Sequence, residues 1–251
     1  MSQIFSDSLI LSLKSGKVDE MTNIAREFRC CTGTVMLSPA LCFNGGPLFI
    51  RSLRTVGINN IICDMRLYGS QQDFVDMFKG DLTWSDISAV TCLSVCDEDS
   101  IKRLVRAAEL RSDQDQLNKT TKVLLYPVFD INEPNRIKLL NSLLDLYYIT
   151  RATGIMLSYE DLLLMRAIDD KVPVITRCKK GVSKGDPFVR SPFKSKPAYQ
   201  DCVDAGATHV IFDTVLIEKS GLSLEDLADS LSKIKAQLIE EPSCLQAIAF
   251  I

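Results

Sequence analysis

The stretch GIMLSYEDLLLMRAIDDKVPVIT, residues 154–176, holds the unit that decides the fold. Its ends, GIMLS (154–158) and VPVIT (172–176), are short and apolar on both faces, which is how a parallel strand covered by helices reads. Between them SYEDLLLMRAI (158–168) has helical spacing. It opens on Ser158 with Glu160 and Asp161 close behind, which suits a helix N-terminus. The pattern is strand, helix, strand.

The same unit repeats outward in both directions. Further strand-like runs are SLILSLK (8–14), TGTVML (32–37), NIICD (60–64), ISAVTCL (87–93), KVLLYPV (122–128) and HVIFD (209–213). Helical spacing places Met21, Ile24 and Phe28 together in 18–28, and Ile101, Leu104, Val105 and Ala108 together in 100–110. In 135–149 the expected stripe is Ile137, Leu140, Leu144 and Tyr147. Residues 223–238 form another capped amphipathic segment, and 47–56, 71–79 and 197–205 fit helices less sharply. Eight strand–helix units in about 250 residues make the size of a (β/α)8 barrel. The alternative, an open doubly wound sheet, lacks its usual Gly-x-Gly-x-x-Gly or Walker lysine loop. The expected fold class is α/β, a single (β/α)8 TIM-type barrel. No linker rich in Pro, Gly or Ser divides the chain, so residues 1–251 are expected to form one domain.

Composition narrows the function classes. The chain is 46% hydrophobic and 24% charged, with a formal net charge of −3, so no global field favours nucleic acid. Nine cysteines are scattered, some inside apolar runs, and there is one histidine. No ligand spacing suggests zinc, and neither a metal nor a cofactor is expected. The odd cysteine count suits a reducing compartment. No signal-peptide pattern and no long apolar run are present, so the expectation is a cytoplasmic protein without a membrane span.

In such a barrel chemistry sits at the carboxyl ends of the strands. Lys14 ends the first strand run, and Asp64 and Arg66 follow the third. Lys14, Asp64 and Arg66 are the candidate catalytic residues, since a lysine beside a carboxylate can act as acid, base or Schiff-base nucleophile. The competing reading is a structural ion pair at the rim. Ser158 follows the sixth strand, and Arg177 and Lys179 the seventh. The loop RCKKGVSKGDPFVRSPFKSK (177–196) carries seven basic residues, Arg190 among them, against the single acid Asp186. It suits a phosphorylated ligand, or equally an acidic partner or RNA. Asp213 stands where a phosphate-binding barrel wants a glycine turn, and its plain role is a helix cap or rim ion pair. His209 is expected at the barrel bottom, packed or exposed rather than catalytic, Cys63 and Cys92 in the core, and Phe74, Phe78 and Trp84 in helix packing.

The C-terminal third, residues 154–217, resembles the orotidine 5′-monophosphate decarboxylase family from its sixth strand to the Ala-Gly-Ala step into the eighth. SLRTVGINNIICDMRL (52–67) is similar to the passage leading to that family's Asp-x-Lys-x-x-Asp motif. The motif falls on Asp64, Arg66 and Gly69, so the proton-donating lysine has become arginine and the second aspartate is gone. Arginine stays charged and is a poor proton donor. The aspartate ending the family's first strand matches Lys14, and the lysine after the second has no counterpart in TGTVMLSPALCFN. The Gly-Arg phosphate pair matches Asp213 and Thr214, and the loop glutamine falls near Pro187. Ser158 keeps the pyrimidine-contacting position, and Arg177, Lys179 and Arg190 keep the basic character of the phosphate loop.

The resemblance therefore implies a carbon–carbon lyase fold linked to pyrimidine (UMP) biosynthesis, with its catalytic set degraded. Losing groups that act as a unit costs many orders of magnitude in rate. The expectation is a pseudoenzyme acting by association, as a homodimer or as a heterodimer with a homologous barrel. One alternative is a divergent lyase using Lys14 and Asp64 on a phosphorylated nucleotide or sugar. Another is an interaction module that docks an acidic protein or RNA through 177–196. Whether the mouth is an open pocket or is closed by salt bridges bears directly on this choice.

Overall fold

The computed structural model describes residues 4–14, 16–70, 72–73, 86–114, 120–129, 134–179 and 198–214, with positions 223, 225, 226 and 229. Eight parallel strands close into a barrel in chain order. The elements are β1 (Leu9–Leu13), α1 (Val18–Phe28), β2 (Thr34–Leu37), α2 (Pro39–Thr55), β3 (Asn60–Leu67), β4 (Ala89–Leu93) and α3 (Glu98–Gln114). Then come β5 (Lys122–Tyr126), α4 (Arg136–Thr150), β6 (Gly154–Leu157), α5 (Tyr159–Ile168), β7 (Val174–Arg177), α6 (Tyr199–Asp204) and β8 (His209–Asp213). β8 closes on β1, with Ile10 opposite Ile211 and Ser12 opposite Asp213.

All eight expected strands are present; β8, His209–Asp213, has the expected ends and the others are shifted. β3 runs on to Leu67, past the Asp64 at which NIICD stops, and β7 begins at Val174 because Pro173 has no N–H for the ladder. α2 begins at Pro39, well before the expected 47. Ser38 accepts the Leu41 N–H at 3.4 Å as N-cap, and Pro39 supplies a preset first turn. Gly46, at φ +57°, takes up a kink inside this helix, one residue before Pro47. In α4, Leu140 and Leu143 are buried while Ile137 is 58% exposed, so the apolar stripe is rotated from the expected one. The expected segment 71–79 lies outside the described residues beyond Asp73, and 223–238 lies outside them apart from four positions. Of those, Ser223 Oγ accepts the Asp226 N–H at 3.1 Å, a helix-cap contact.

Two apolar layers hold the barrel. Outside the sheet, Phe28, Leu53, Leu104, Leu140 and Leu162 are buried between strands and helices. The stripes Met21, Ile24, Phe28 and Ile101, Leu104, Val105, Ala108 are buried as expected. Inside, each strand gives one residue to a second cluster: Ile10, Met36, Ile62, Ala89, Leu124, Met156, Ile175 and Ile211. Burying an aliphatic side chain of this size is worth about 1.5–3 kcal/mol relative to exposure.

Side chains alternate along a strand, so residues two positions on from these eight share their face. These are Ser12, Ser38, Asp64, Thr91, Tyr126, Ser158, Arg177 and Asp213, all polar. The barrel thus changes from a dry plug to a polar mouth within one step along every strand. At the opposite end Ile4 and Phe5 join the interior cluster. Lys122 donates to the Ile4 carbonyl, and its Nζ sits 4.7 Å from the Phe5 ring. The Phe5 N–H donates to His209 Nε2 at 3.1 Å. His209 is fully buried at the barrel bottom, the packed one of the two placements the sequence allowed.

Candidate functional site

The carboxyl ends of the strands surround a cavity of about 750 Å³, within the range of sites for small ligands. Lys14, Ser38, Asp64, Arg66, Tyr126, Ser158, Arg177 and Lys179 line it. Its floor includes Met36, Met156, Ile175 and Ile211 of the interior layer. The mouth is open, yet its charges are matched.

The three candidate catalytic residues do not form one cluster. Lys14 joins β1 to β8: its Nζ lies 2.9 Å from Asp213 Oδ2. Arg177 pairs with the other oxygen of Asp213 and reaches Ser12 Oγ at 3.4 Å. Asp213 is therefore a rim ion pair, one of the two plain roles its position allowed. Burial pushes its carboxyl up, but the Arg177 charge and hydrogen bonds from Lys14, Arg177 and Ser12 outweigh it and hold it below the usual range.

Asp64 makes a second group. Its Oδ1 accepts the Thr91 hydroxyl at 3.0 Å, and its Oδ2 lies 3.4 Å from Arg66 Nη2. The same Thr91 Oγ1 accepts the Arg66 backbone N–H at 2.7 Å. Arg66 has φ +48°, and the β3–β4 register shifts between Cys63 and Leu67. A β-bulge thus breaks the regular pairing of β3 at Arg66. Its guanidinium stacks 4.5 Å from the centre of the Tyr126 ring.

Ser158 is the N-cap of α5, and this role occupies its hydroxyl. It donates to Asp161 Oδ2 at 2.7 Å, accepts the Asp161 N–H at 3.1 Å, and lies 3.3 Å from Arg136 Nη2. Arg136 also pairs with the buried Asp161. Any ligand that used Ser158 would have to compete with three protein contacts, two to Asp161 and one to Arg136. Lys179 Nζ lies 3.9 Å from Glu160. Arg190 and the rest of 180–197 lie outside the described residues, as do Phe74, Phe78 and Trp84.

Cys63 and Cys92 are core residues. A hydrogen bond with Cys42 and burial push the Cys63 thiol well up, and burial does the same to Cys92 and Cys178, so none of these three is an activated nucleophile. Among the described residues no group of three or more His, Cys, Asp or Glu side chains is placed to hold a metal, and no helix is long and apolar enough to cross a membrane. Thr91, Tyr126 and Arg136 were not singled out from the sequence. Thr91 and Tyr126 carried a signal, since each follows an interior apolar residue by two. Arg136 carried none.

The closed eight-stranded barrel is orotidine 5′-monophosphate decarboxylase-like in fold. The chain is similar to orotidine 5′-monophosphate decarboxylase from Methanocaldococcus jannaschii complexed with the inhibitor BMP, with a TM-score of 0.66 and 16% identity over 90% of this chain and 97% of that one. The Pyrococcus horikoshii OT3 decarboxylase gives 0.64 and 14% over 89% and 97%. An uncharacterized conserved protein from Geobacillus kaustophilus gives 0.65 and 10% over 90% and 98%. The sequence matches no protein-family model and no curated protein. At this identity the likeness shows the fold.

Proposed function

We propose that this chain is a non-catalytic barrel of the decarboxylase fold, acting by association with a second copy of itself or with a homologous barrel. The observation that carries this reading is the pairing of the mouth's cations. Lys14, the lysine at the end of β1, is bound to Asp213, which Arg177 also holds. At the position where the resembled motif has its proton-donating lysine stands Arg66, an arginine, bound to Asp64. A guanidinium does not give up a proton at accessible pH. The link to pyrimidine (UMP) biosynthesis rests on fold resemblance alone. The eight described cysteines, all free thiols, suit a cytoplasmic setting.

The test is purified protein incubated with orotidine 5′-monophosphate beside an active decarboxylase. No UMP is expected to form. Turnover that disappears in Asp64→Asn would overturn the proposal. Light scattering is expected to report a dimer, alone or with a homologous barrel added, and a monomer in both mixtures would remove the association.

A second reading has one observation in its favour: the cavity is open, and Lys14, Asp64 and Arg66 all line it. A divergent lyase acting on a phosphorylated nucleotide or sugar would need this space. Its test is whether Lys14→Met abolishes turnover of any such compound that the wild type consumes.

A further inference from the structure

We propose that Arg66 is the oxyanion-receiving group of the mouth, aimed by the strained bulge that carries it, and that its ligand bears a carboxylate or phosphate on a flat or apolar body. The inference depends neither on catalysis nor on its absence.

Three observations carry it. The first is strain. Arg66 adopts φ +48°, a conformation glycine takes freely and a long side chain takes only at a cost. If the chain needed only a bulge here, glycine would serve better. Such strain, held by its surroundings, is found where a side chain must be aimed.

The second is the device that holds it. One hydroxyl, Thr91 Oγ1, accepts the Arg66 N–H at 2.7 Å and donates to Asp64 Oδ1 at 3.0 Å. Thr91 lies on β4 and is buried, so it fixes both the backbone of the bulge and the carboxylate beside it. Stacking 4.5 Å from the centre of the Tyr126 ring then fixes the plane of the guanidinium.

The third is the unused donor capacity. Arginine has five N–H donors in a planar fork that matches an oxyanion. Among the described residues, only Nη2 has a hydrogen-bonding partner, Asp64 Oδ2 at the long distance of 3.4 Å. Nε and Nη1 have none. The side chain is 49% exposed and lines the cavity. By contrast Arg177 is taken up by Asp213 and Ser12, and Arg136 by Asp161 and Ser158. Arg66 is the mouth arginine that is oriented without being used up. The floor of the same cavity, with Met36, Met156 and Ile211, offers apolar surface to the rest of the ligand.

The experiment titrates inorganic phosphate and malonate into the wild type and variants, by calorimetry and thermal shift, against sodium chloride of matched ionic strength. At least one of the two anions is expected to bind saturably and to raise Tm above the chloride control. A response to phosphate alone assigns a phosphate-bearing ligand, and to malonate alone a carboxylate. Arg66→Gly relieves the backbone strain while removing the guanidinium, so it is expected to melt at or above the wild type and to lose affinity by roughly tenfold or more. Thr91→Val is expected to weaken binding with Arg66 still present, and Thr91→Ser to restore it. The proposal is overturned if neither anion binds the wild type, if Arg66→Gly binds as well as the wild type, or if Arg66→Gly melts well below it, the mark of a structural ion pair.

Discussion

Lys14 Nζ lies 2.9 Å from Oδ2 of Asp213, and this contact ties the end of the first strand to the end of the last. Arg177, on the other side of β8, holds the second carboxylate oxygen. One nearly buried anion is therefore shared by two cations at the seam where the barrel closes, and the cluster keeps a net positive charge at the cavity. Both cations lie against protein carboxylate oxygens while the cavity beside them stays open.

Removing that anion leaves Lys14 and Arg177 repelling each other. A broken buried pair costs several kcal/mol, but the Lys14 and Arg177 side chains are 41% and 28% exposed, so solvent screens much of it. Asp213→Asn is expected to lower stability by about 1–3 kcal/mol in urea unfolding. Adding Lys14→Met should return part of the loss, and a double-mutant cycle with no coupling would show that the contact does not bind the seam.

Two pH windows should appear in the stability of the wild type. Burial, against the raising pull of the Phe5 contact and with the Lys122 charge adding to it, pushes His209 from 6.5 down to about 4. The folded state therefore favours neutral imidazole. Its contribution is full above pH 6.5, falls as pH drops towards 4, and amounts to up to about 3 kcal/mol. Asp213 is held below its ordinary 3.8, so its contribution is full above that value and is lost only at more acid pH. The slope between pH 6.5 and 4 should vanish in His209→Gln, and a variant with the wild-type slope would rule out this histidine as its source.

The barrel was legible because its local signals agree. Each strand is a short apolar run, each helix has its own period, and Ser158 with Asp161 announced a cap that the structure contains. Even the change from plug to mouth is written in the strands, as Ile10 then Ser12, Ile62 then Asp64, and Ile211 then Asp213. The site was less legible because its pairings depend on closure. Nothing near Lys14 in sequence points to Asp213, which comes beside it only because β8 returns to β1. The Arg66 bulge carries no glycine to mark it, and the strand was expected to end at Asp64, three residues short of Leu67. The helix expected over 47–56 begins at Pro39 instead, because the chain continues through Gly45, Gly46 and Pro47 with only a kink.

Ser158 separates two roles that share one position. As the α5 cap it accepts the Asp161 N–H, and replacing such a cap by alanine costs about 1 kcal/mol. Ser158→Ala is expected to lower Tm accordingly while leaving phosphate and malonate binding within about twofold, roughly 0.4 kcal/mol. A large loss of affinity with Tm unchanged would instead make the hydroxyl a ligand contact.

Gly154 tests the seal at the other end of the barrel. It lies in β6 where the next inward residue is Met156, and a Cβ there would meet Cδ1 of Ile4 and approach the Pro173 carbonyl at 3.2 Å. Overpacking of this kind typically costs about 1–3 kcal/mol. Gly154→Ala is therefore expected to destabilise the chain and to disturb the Phe5–His209 hydrogen bond that sits beside Ile4. Ile4→Val removes the atom in the way at a small cost of its own. Combined with Gly154→Ala it should recover much of the loss, since neighbours sharing one space couple non-additively. Additive losses in the double variant would mean that the clash falls on the Pro173 carbonyl and that the N-terminal plug does not set the size of this position.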